Sequence, residues 1–192
     1  GFDIKNLVLS KGHASYGYYA FLYHIGLMSP TELKSVGQTG SKFYGHLPFV
    51  AEDDRFHFGS GSLGHGLPYS IGLAHAKNIF KENTNIYCIV GDGEANEGTF
   101  WESLLLAEKF KLKYLKILID CNGSSERAIP ILYTLRKMKN AFNNIIFSEA
   151  NGHCIEELVQ KMNTTIRCQV LLCKTIKGYP ISFMQNNPVW HH

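Results

Sequence analysis

Charged residues are scarce in this chain, and it lacks the usual signs of nucleic-acid binding. Asp, Glu, Lys and Arg make up 18% of its 192 residues, and the formal net charge of +3 comes with no basic run. A nucleic-acid-binding protein usually carries a concentrated basic patch or a recognisable binding motif, so that class is not indicated. The low charge and the 12% of aromatic residues instead indicate that some surface is buried in an assembly.

Disulfide pairing, zinc binding, membrane insertion and nicotinamide binding also lack support. The five cysteines are odd in number and show no CxxC spacing, which favours free thiols in a reducing, cytoplasmic setting. The sequence contains neither an apolar run long enough to span a bilayer nor a signal-peptide pattern at its start. No GxGxxG opens the first strand–helix turn, which argues against a nicotinamide-binding Rossmann domain.

Apolar strand-like runs alternate with helical segments, most regularly in the second half of the chain. The predicted strands are 4–9, 86–90, 115–119, 145–148 and 169–174. The predicted helices are 14–25, one from Ser29 to Gly37, 67–80, 99–110, one within 130–141, and 155–162. Ser29, Pro30 and Glu32 form a strong helix start, with a capping box and proline at the first helical position. The alternation predicts a single α/β domain over 1–192, with a central parallel sheet and helices on both faces.

Residues with metal-binding and phosphate-binding chemistry follow two of these strands. Asp92 lies in a Gly-Asp-Gly run after strand 86–90, and Asn122 follows strand 115–119, thirty positions further along. One helix fits between them, so both side chains are predicted at the carboxyl ends of neighbouring parallel strands. A carboxylate and an amide oxygen suit Mg²⁺, which commonly shares its coordination shell with phosphate oxygens. The flanking glycines allow a diphosphate to approach the backbone closely.

With other glycine- and histidine-rich segments, this pattern resembles the transketolase family, whose cofactor is thiamine diphosphate (TPP). The segments that carry the resemblance are 10–15, 45–48, 61–66, 91–102, 122–124 and 177–192. They cover nearly the whole chain, and its ending is most similar to the split form, in which the two halves are separate chains. The resemblance implies the diphosphate-binding domain of a TPP enzyme. The implied reaction transfers a two-carbon ketol unit from a ketose, as a phosphate, to an aldose phosphate.

The resemblance also implies roles for individual residues. The Mg²⁺ ligands would be Asp92, Asn122 and the backbone carbonyl of Ser124, the first two also counting as cofactor-binding. The other implied cofactor-binding residues are His13, Gly61, Ser62, Leu63, Gly91, Gly93, Glu94, Lys177 and His191. His13, His46 and His191 would contact the diphosphate and the sugar's hydroxyl and carbonyl oxygens, where protons move during catalysis.

Several residues allow two interpretations. Thr99 and Glu102 have the spacing of a capping box, which would make Glu102 a helix-start residue. The resemblance instead places Glu97 and Glu102 in an acidic relay across the interface between subunits, linking two active sites. Leu63 would support the cofactor or pack in the core. His153 precedes a helix in a glycine turn and is interpreted as structural.

The resemblance places part of the catalytic machinery outside this chain. In transketolases the Glu that activates the cofactor belongs to a separate pyrimidine-binding domain, for which this sequence is too short. We therefore expect the partner to be a C-terminal transketolase subunit, in a dimer of heterodimers. The family's leading segment is apparently missing, and the sequence after Asn122 and after Gly178 departs from the family pattern. Two alternatives stay open: a related TPP carboligase of specialised sugar metabolism, and a non-catalytic binding or scaffold subunit.

Overall fold

A five-stranded, all-parallel β-sheet forms the centre of the protein, whose structure is a computed structural model describing residues 3–127, 129–163 and 167–190. The strands are β1 (Leu7–Leu9), β2 (Ile86–Gly91), β3 (Leu115–Cys121), β4 (Ile145–Asn151) and β5 (Cys168–Lys174). The helices are α1 (Ser15–His24), α2 (Pro30–Ser35), α3 (Gly66–Ile79), α4 (Gly98–Phe110), α5 (Leu132–Lys137) and α6 (Ile155–Met162). Within these ranges no helix is both long and apolar enough to cross a bilayer.

The order of the strands determines which strand ends meet. The order is β1-β2-β3-β5-β4, so the last strand inserts between β3 and β4. Gly91 at the end of β2 pairs with Asp120 of β3, and Asp120 in turn pairs with Cys173 of β5. The carboxyl ends of β2, β3 and β5 therefore lie side by side, which is where parallel sheets place their ligands.

Helices cover both faces of the sheet, as predicted. On one face, the buried Phe100 and Leu104 of α4 pack with α3, α5 and alternate strand residues in the largest apolar cluster. On the other face, α1 packs over β1 in one cluster, and α6 packs over β4 and β5 in another. Each fully buried side chain of this size contributes about 1.5–3 kcal/mol. All five cysteines are free, as expected.

The irregular segment between α2 and α3 is fixed against α1. The Tyr18 and Tyr19 hydroxyls donate to the carbonyls of Arg55 and Tyr44, at 2.6 and 2.9 Å. Burial raises the pKa of Tyr19 to about 12, so this hydroxyl stays a donor at physiological pH. The predicted capping box of α2 is confirmed by the reciprocal hydrogen bonds of Ser29 and Glu32. This anchoring holds the loop that carries His46 beside the sheet's carboxyl edge.

Candidate active site

A cleft of about 600 Å³ opens at the carboxyl ends of β2, β3 and β5. Its described lining includes most of the predicted site residues: His13, Leu63, Gly91, Asp92, Gly93, Glu94, Asn122, Ser124 and Lys177. The structure thus brings residues from separate stretches of sequence to one concave surface. A smaller pocket of about 210 Å³ adjoins it, sharing Asn122, Ser124 and Lys177.

Asp92 and Asn122 lie at neighbouring strand ends, as their spacing predicted. Asp92 is only 6% exposed, and its two carboxylate oxygens accept hydrogen bonds from the backbone N–H groups of Gly93 (2.9 Å) and Gly123 (3.1 Å). Burial raises the pKa of this carboxyl above its ordinary value. The Asn122 amide oxygen accepts from the Ser124 N–H at 2.9 Å, which turns the chain back towards Asp92.

The donor set at this end of the cleft fits a hard cation. In the described ranges no three His, Cys, Asp or Glu side chains group together as a metal site. An ion here would therefore rely on one carboxylate, the Asn122 amide oxygen and a backbone carbonyl such as that of Ser124, completed by oxygens of a ligand. All of these are oxygen donors, which Mg²⁺ prefers.

A half-buried ion pair lines the cleft. The Lys11 ammonium contacts the Asp120 carboxylate, which also accepts from the hydroxyl of Thr175. Burial would raise the pKa of Asp120, but Lys11 and the hydrogen bonds from Thr175 and Asn122 hold it below its ordinary value. Burial and the nearby charge of Lys11 lower the pKa of Lys177. Lys177 thus brings positive charge to the wall where a diphosphate would lie, whereas the charge of Lys11 is offset by Asp120.

Glu94 joins the loops that surround the cleft. It is 2% exposed, and its carboxylate accepts hydrogen bonds from the Ser10 hydroxyl, the Gly64 N–H at 3.0 Å and the Gly91 N–H at 2.7 Å. Its oxygens are therefore engaged by three protein donors, although the side chain borders the cleft. A cofactor contact by Glu94 stays a prediction. The observed hydrogen bonds show that Glu94 links the loops around the cleft.

His13 and His46 come together although they are distant in sequence. Their ring centroids are 5.5 Å apart, and both side chains are exposed. Gly12 makes this possible, because a Cβ there would lie 2.1 Å from the His46 Cδ2 atom. Gly61 has φ of +135° and also passes close to the His46 ring. Two imidazoles are thus available at the mouth of the cleft for proton donation or acceptance.

Leu63 lies on the surface of the cleft and not in the core. It is 51% exposed, an unusual position for a large apolar side chain unless a ligand or another chain covers it. The adjacent Gly61 and Ser62 are exposed too. Of the two interpretations of Leu63, the core one is wrong.

The start of α4 differs from the capping box expected for Thr99 and Glu102. The helix begins at Gly98 with Glu97 as its N-cap residue, and no side chain caps it. The Thr99 hydroxyl instead donates to the Gly64 carbonyl at 3.2 Å, because the glycine loop packs directly on this turn. Glu102 is exposed on α4 and Glu97 is half-buried, so both can face another subunit.

His153 is a cleft residue, although its sequence context indicated a structural turn. It borders the cleft, and its Nε2 atom accepts a hydrogen bond from the Ile176 N–H at 2.8 Å. Its position follows from strand order, since β5 inserts beside β4, and no local pattern encodes that. His191, predicted to bind the cofactor and the sugar, lies outside the described residues.

The family comparison agrees with this geometry. Residues 2–192 match the family described as transketolase, thiamine diphosphate binding domain. The A subunit of apulose-4-phosphate transketolase from Actinobacillus succinogenes is 33% identical over 192 residues, covering 96% of this chain and 69% of that protein. Human transketolase is 33% identical over 194 residues, and the match covers 96% of this chain but only 30% of that protein.

A solved structure has the same fold. Transketolase from Leishmania mexicana superimposes with a TM-score of 0.75 at 23% identity, over 91% of this chain and 29% of that one. The chain thus spans less than a third of the human and Leishmania mexicana transketolases, and about two thirds of the apulose-4-phosphate relative. The match to the family's cofactor-binding domain runs through every segment that lines the cleft, and the chain therefore belongs to the transketolase family.

Proposed function

We propose that this chain binds TPP with Mg²⁺ and serves as the N-terminal subunit of a transketolase-type enzyme. The reaction would transfer a two-carbon ketol unit from a ketose phosphate to an aldose phosphate. The observation that carries the proposal is the placement of Asp92 and Asn122 at adjacent strand ends, facing one cleft. When bound, TPP supplies the carbanion chemistry that cleaves and re-forms the carbon–carbon bond.

Different residues of the chain would hold the metal, the diphosphate and the apolar part of the cofactor. Asp92, Asn122 and the Ser124 carbonyl would hold Mg²⁺, whose charge would offset that of the diphosphate. Lys177 supplies charge to the same diphosphate, and Gly91 and Gly93 let it approach the backbone. Leu63 covers the cofactor's apolar surface, which accounts for its exposure in the free chain.

The histidines act on the sugar. His13 and His46 stand at the cleft mouth, within reach of one another, and hydrogen-bond the donor's hydroxyl and carbonyl oxygens. A neutral imidazole can hold a proton at one nitrogen and accept one at the other, which suits a carbonyl oxygen that gains and loses charge. His191 would join them, as the family resemblance implies.

A partner chain completes the site. Two relatives are each named as one subunit of a transketolase, which supports a split enzyme in which a second chain brings the pyrimidine-binding domain. Glu97, the half-buried N-cap residue of α4, and Glu102, exposed on that helix, would then lie at the interface between subunits of a cytoplasmic dimer of heterodimers. The relatives' names also make apulose 4-phosphate the first donor to assay.

Two measurements test the proposal. Isothermal titration of the chain with TPP should give saturable binding in Mg²⁺ that is lost in EDTA; no binding in Mg²⁺ refutes the cofactor assignment. Affinity purification from the native extract should then recover a chain with a pyrimidine-binding domain, and the complex should transfer a ketol unit from a ketose phosphate. Cofactor binding without turnover on any ketose would identify a non-catalytic subunit.

A further inference from the structure

The turn between β4 and α6 is attached to the segment that leaves β5. The Gly152 N–H donates to the Lys174 carbonyl at 2.8 Å, and the His153 Nε2 atom accepts from the Ile176 N–H at 2.8 Å. A backbone N–H can only donate, so Nε2 is unprotonated here and the ring proton resides on Nδ1. The fit is close, because a Cβ on Gly152 would lie 2.4 Å from the Thr175 side chain.

The same imidazole packs on a residue further along that segment. The ring centroids of His153 and Tyr179 are 4.1 Å apart, with the planes inclined by 39°. The Tyr179 N–H donates to the Ile176 carbonyl at 3.1 Å, which closes a tight turn between them. His153 therefore contacts the chain on both sides of Lys177, once through a hydrogen bond and once through a ring.

Lys177 is fixed by these contacts where it faces the cleft. Its carbonyl accepts from the Asn186 N–H at 2.9 Å, so the residues on either side of the turn are tied down. The next residue, Gly178, has φ of +86° and leaves no room for a side chain against the Met184 carbonyl. The second half of the turn therefore packs closely on Met184, and His153 contacts its first half.

We propose that His153 and Tyr179 form a clasp that positions Lys177 to bind the diphosphate of the cofactor. His153 is then a positioning residue that acts through the backbone of Ile176, and Tyr179 is the ring that keeps the imidazole in place. This inference rests on the proposed function, since the ligand of Lys177 is the diphosphate. It assigns His153 a role in cofactor affinity where the sequence indicated a structural turn.

Two substitutions of His153 differ in whether the new side chain can accept the hydrogen bond from the Ile176 N–H. His153→Gln can place its amide oxygen near the position of Nε2, whereas His153→Asn places its oxygen near Nδ1, out of reach of the Ile176 N–H. Losing one net hydrogen bond of about 1 kcal/mol corresponds to about a fivefold change in affinity. Titration with TPP and Mg²⁺ should show about fivefold weaker binding for His153→Asn and restored binding for His153→Gln. Equal affinities in both variants would overturn the clasp.

A double-mutant cycle shows whether the effect passes through Lys177. If it does, His153→Asn should weaken TPP binding in the wild-type background but not in Lys177→Ala, so the two losses are not additive. Additive losses would mean that His153 acts elsewhere. Tyr179→Phe keeps the ring and should bind as the wild type does, whereas Tyr179→Ala should resemble His153→Asn.

Two further measurements distinguish failure of the clasp from failure of the proposed function. Without cofactor, hydrogen exchange of the Ile176 amide should quicken in a folded His153→Asn protein, and an unchanged exchange rate overturns the clasp. If the wild-type chain does not bind TPP at all, the proposed function fails and the clasp fails with it. If the wild type binds and His153→Asn binds equally well, only the clasp is refuted.

Discussion

Replacing Asp92 is the most direct perturbation of the proposed metal site. Asp92 is the one charged residue among the three proposed ligands, and it is almost fully buried. Two unit charges 4 Å apart attract by about 4 kcal/mol at an effective dielectric constant of 20, and Mg²⁺ carries two charges and would sit closer. Part of this loss is offset, because the variant no longer buries a charged carboxylate. We therefore expect Asp92→Asn to weaken Mg²⁺-dependent TPP binding by at least about 100-fold, or about 2.7 kcal/mol.

The assay is isothermal titration of the chain with TPP at fixed Mg²⁺, repeated in EDTA. A matched control is Glu108→Gln on the far side of the sheet. Glu108 also accepts backbone N–H bonds, from Asn143 and Asn144, at 3.1 and 2.8 Å, but lies away from the cleft. The control should bind as the wild type does. Affinity within about threefold of wild type in a folded Asp92→Asn protein would refute the metal assignment and the electrostatic reasoning behind it.

The remaining predictions concern stability and the substrate side of the cleft. Burial raises the pKa of Asp92, so its destabilisation is absent below the unfolded pKa and grows as pH rises through the folded one. Asn keeps only one of the two acceptor oxygens, so the prediction concerns the pH dependence: without Mg²⁺, the thermal midpoint of Asp92→Asn relative to wild type should be higher at pH 7 than in acid, and no such rise contradicts this. His46→Ala should leave TPP affinity intact while raising the donor KM or lowering kcat, and lost TPP binding in a folded mutant would show that the role is wrong. Gly12→Ala should act on the same kinetic parameters, because its Cβ would collide with the His46 ring. Glu94→Ala should lower the free energy of unfolding by about 2–3 kcal/mol, since three donors lose their acceptor, and urea unfolding would measure it.

Local sequence signals were sufficient for the elements and for the centre of the site. Apolar runs predicted the five strands, and the periodicity of 155–162 predicted α6, because hydrophobic periodicity is a local signal. The strand predicted over 4–9 is shorter, since Ile4–Asn6 form a 3-10 turn before β1, and β4 extends past 148 to Asn151. The capping box at Ser29 formed as expected, since its hydrogen bonds join residues three apart. The spacing of Asp92 and Asn122 leaves room for a single helix between two parallel strands, and strands connected in this way are neighbours here, which brings the two residues together.

The departures from prediction occur where distant segments pack on each other. Thr99 was expected to cap α4, but the Gly64 loop packs on that turn and takes its hydroxyl. The cofactor contact of Glu94 stays a prediction, but its hydrogen bonds from Ser10 and the Gly64 N–H join segments that are distant in sequence and were not foreseen. His153 was interpreted as a turn residue because it follows Asn151 and Gly152 before a helix, and the turn is there, but its position beside the cleft was not predicted.

The sequence by itself determined the α/β fold, the strand-end position of the Asp92 and Asn122 pair and the family. These depend on periodicity, on spacing and on motifs, which are properties of neighbouring residues. Only the tertiary structure decided that β5 lies between β3 and β4, and with it that Thr175 and His153 reach the cleft. Several strand orders are compatible with strands of similar apolar sequence. The observed order depends on contacts between residues distant in the chain, which arise only when the whole sheet packs.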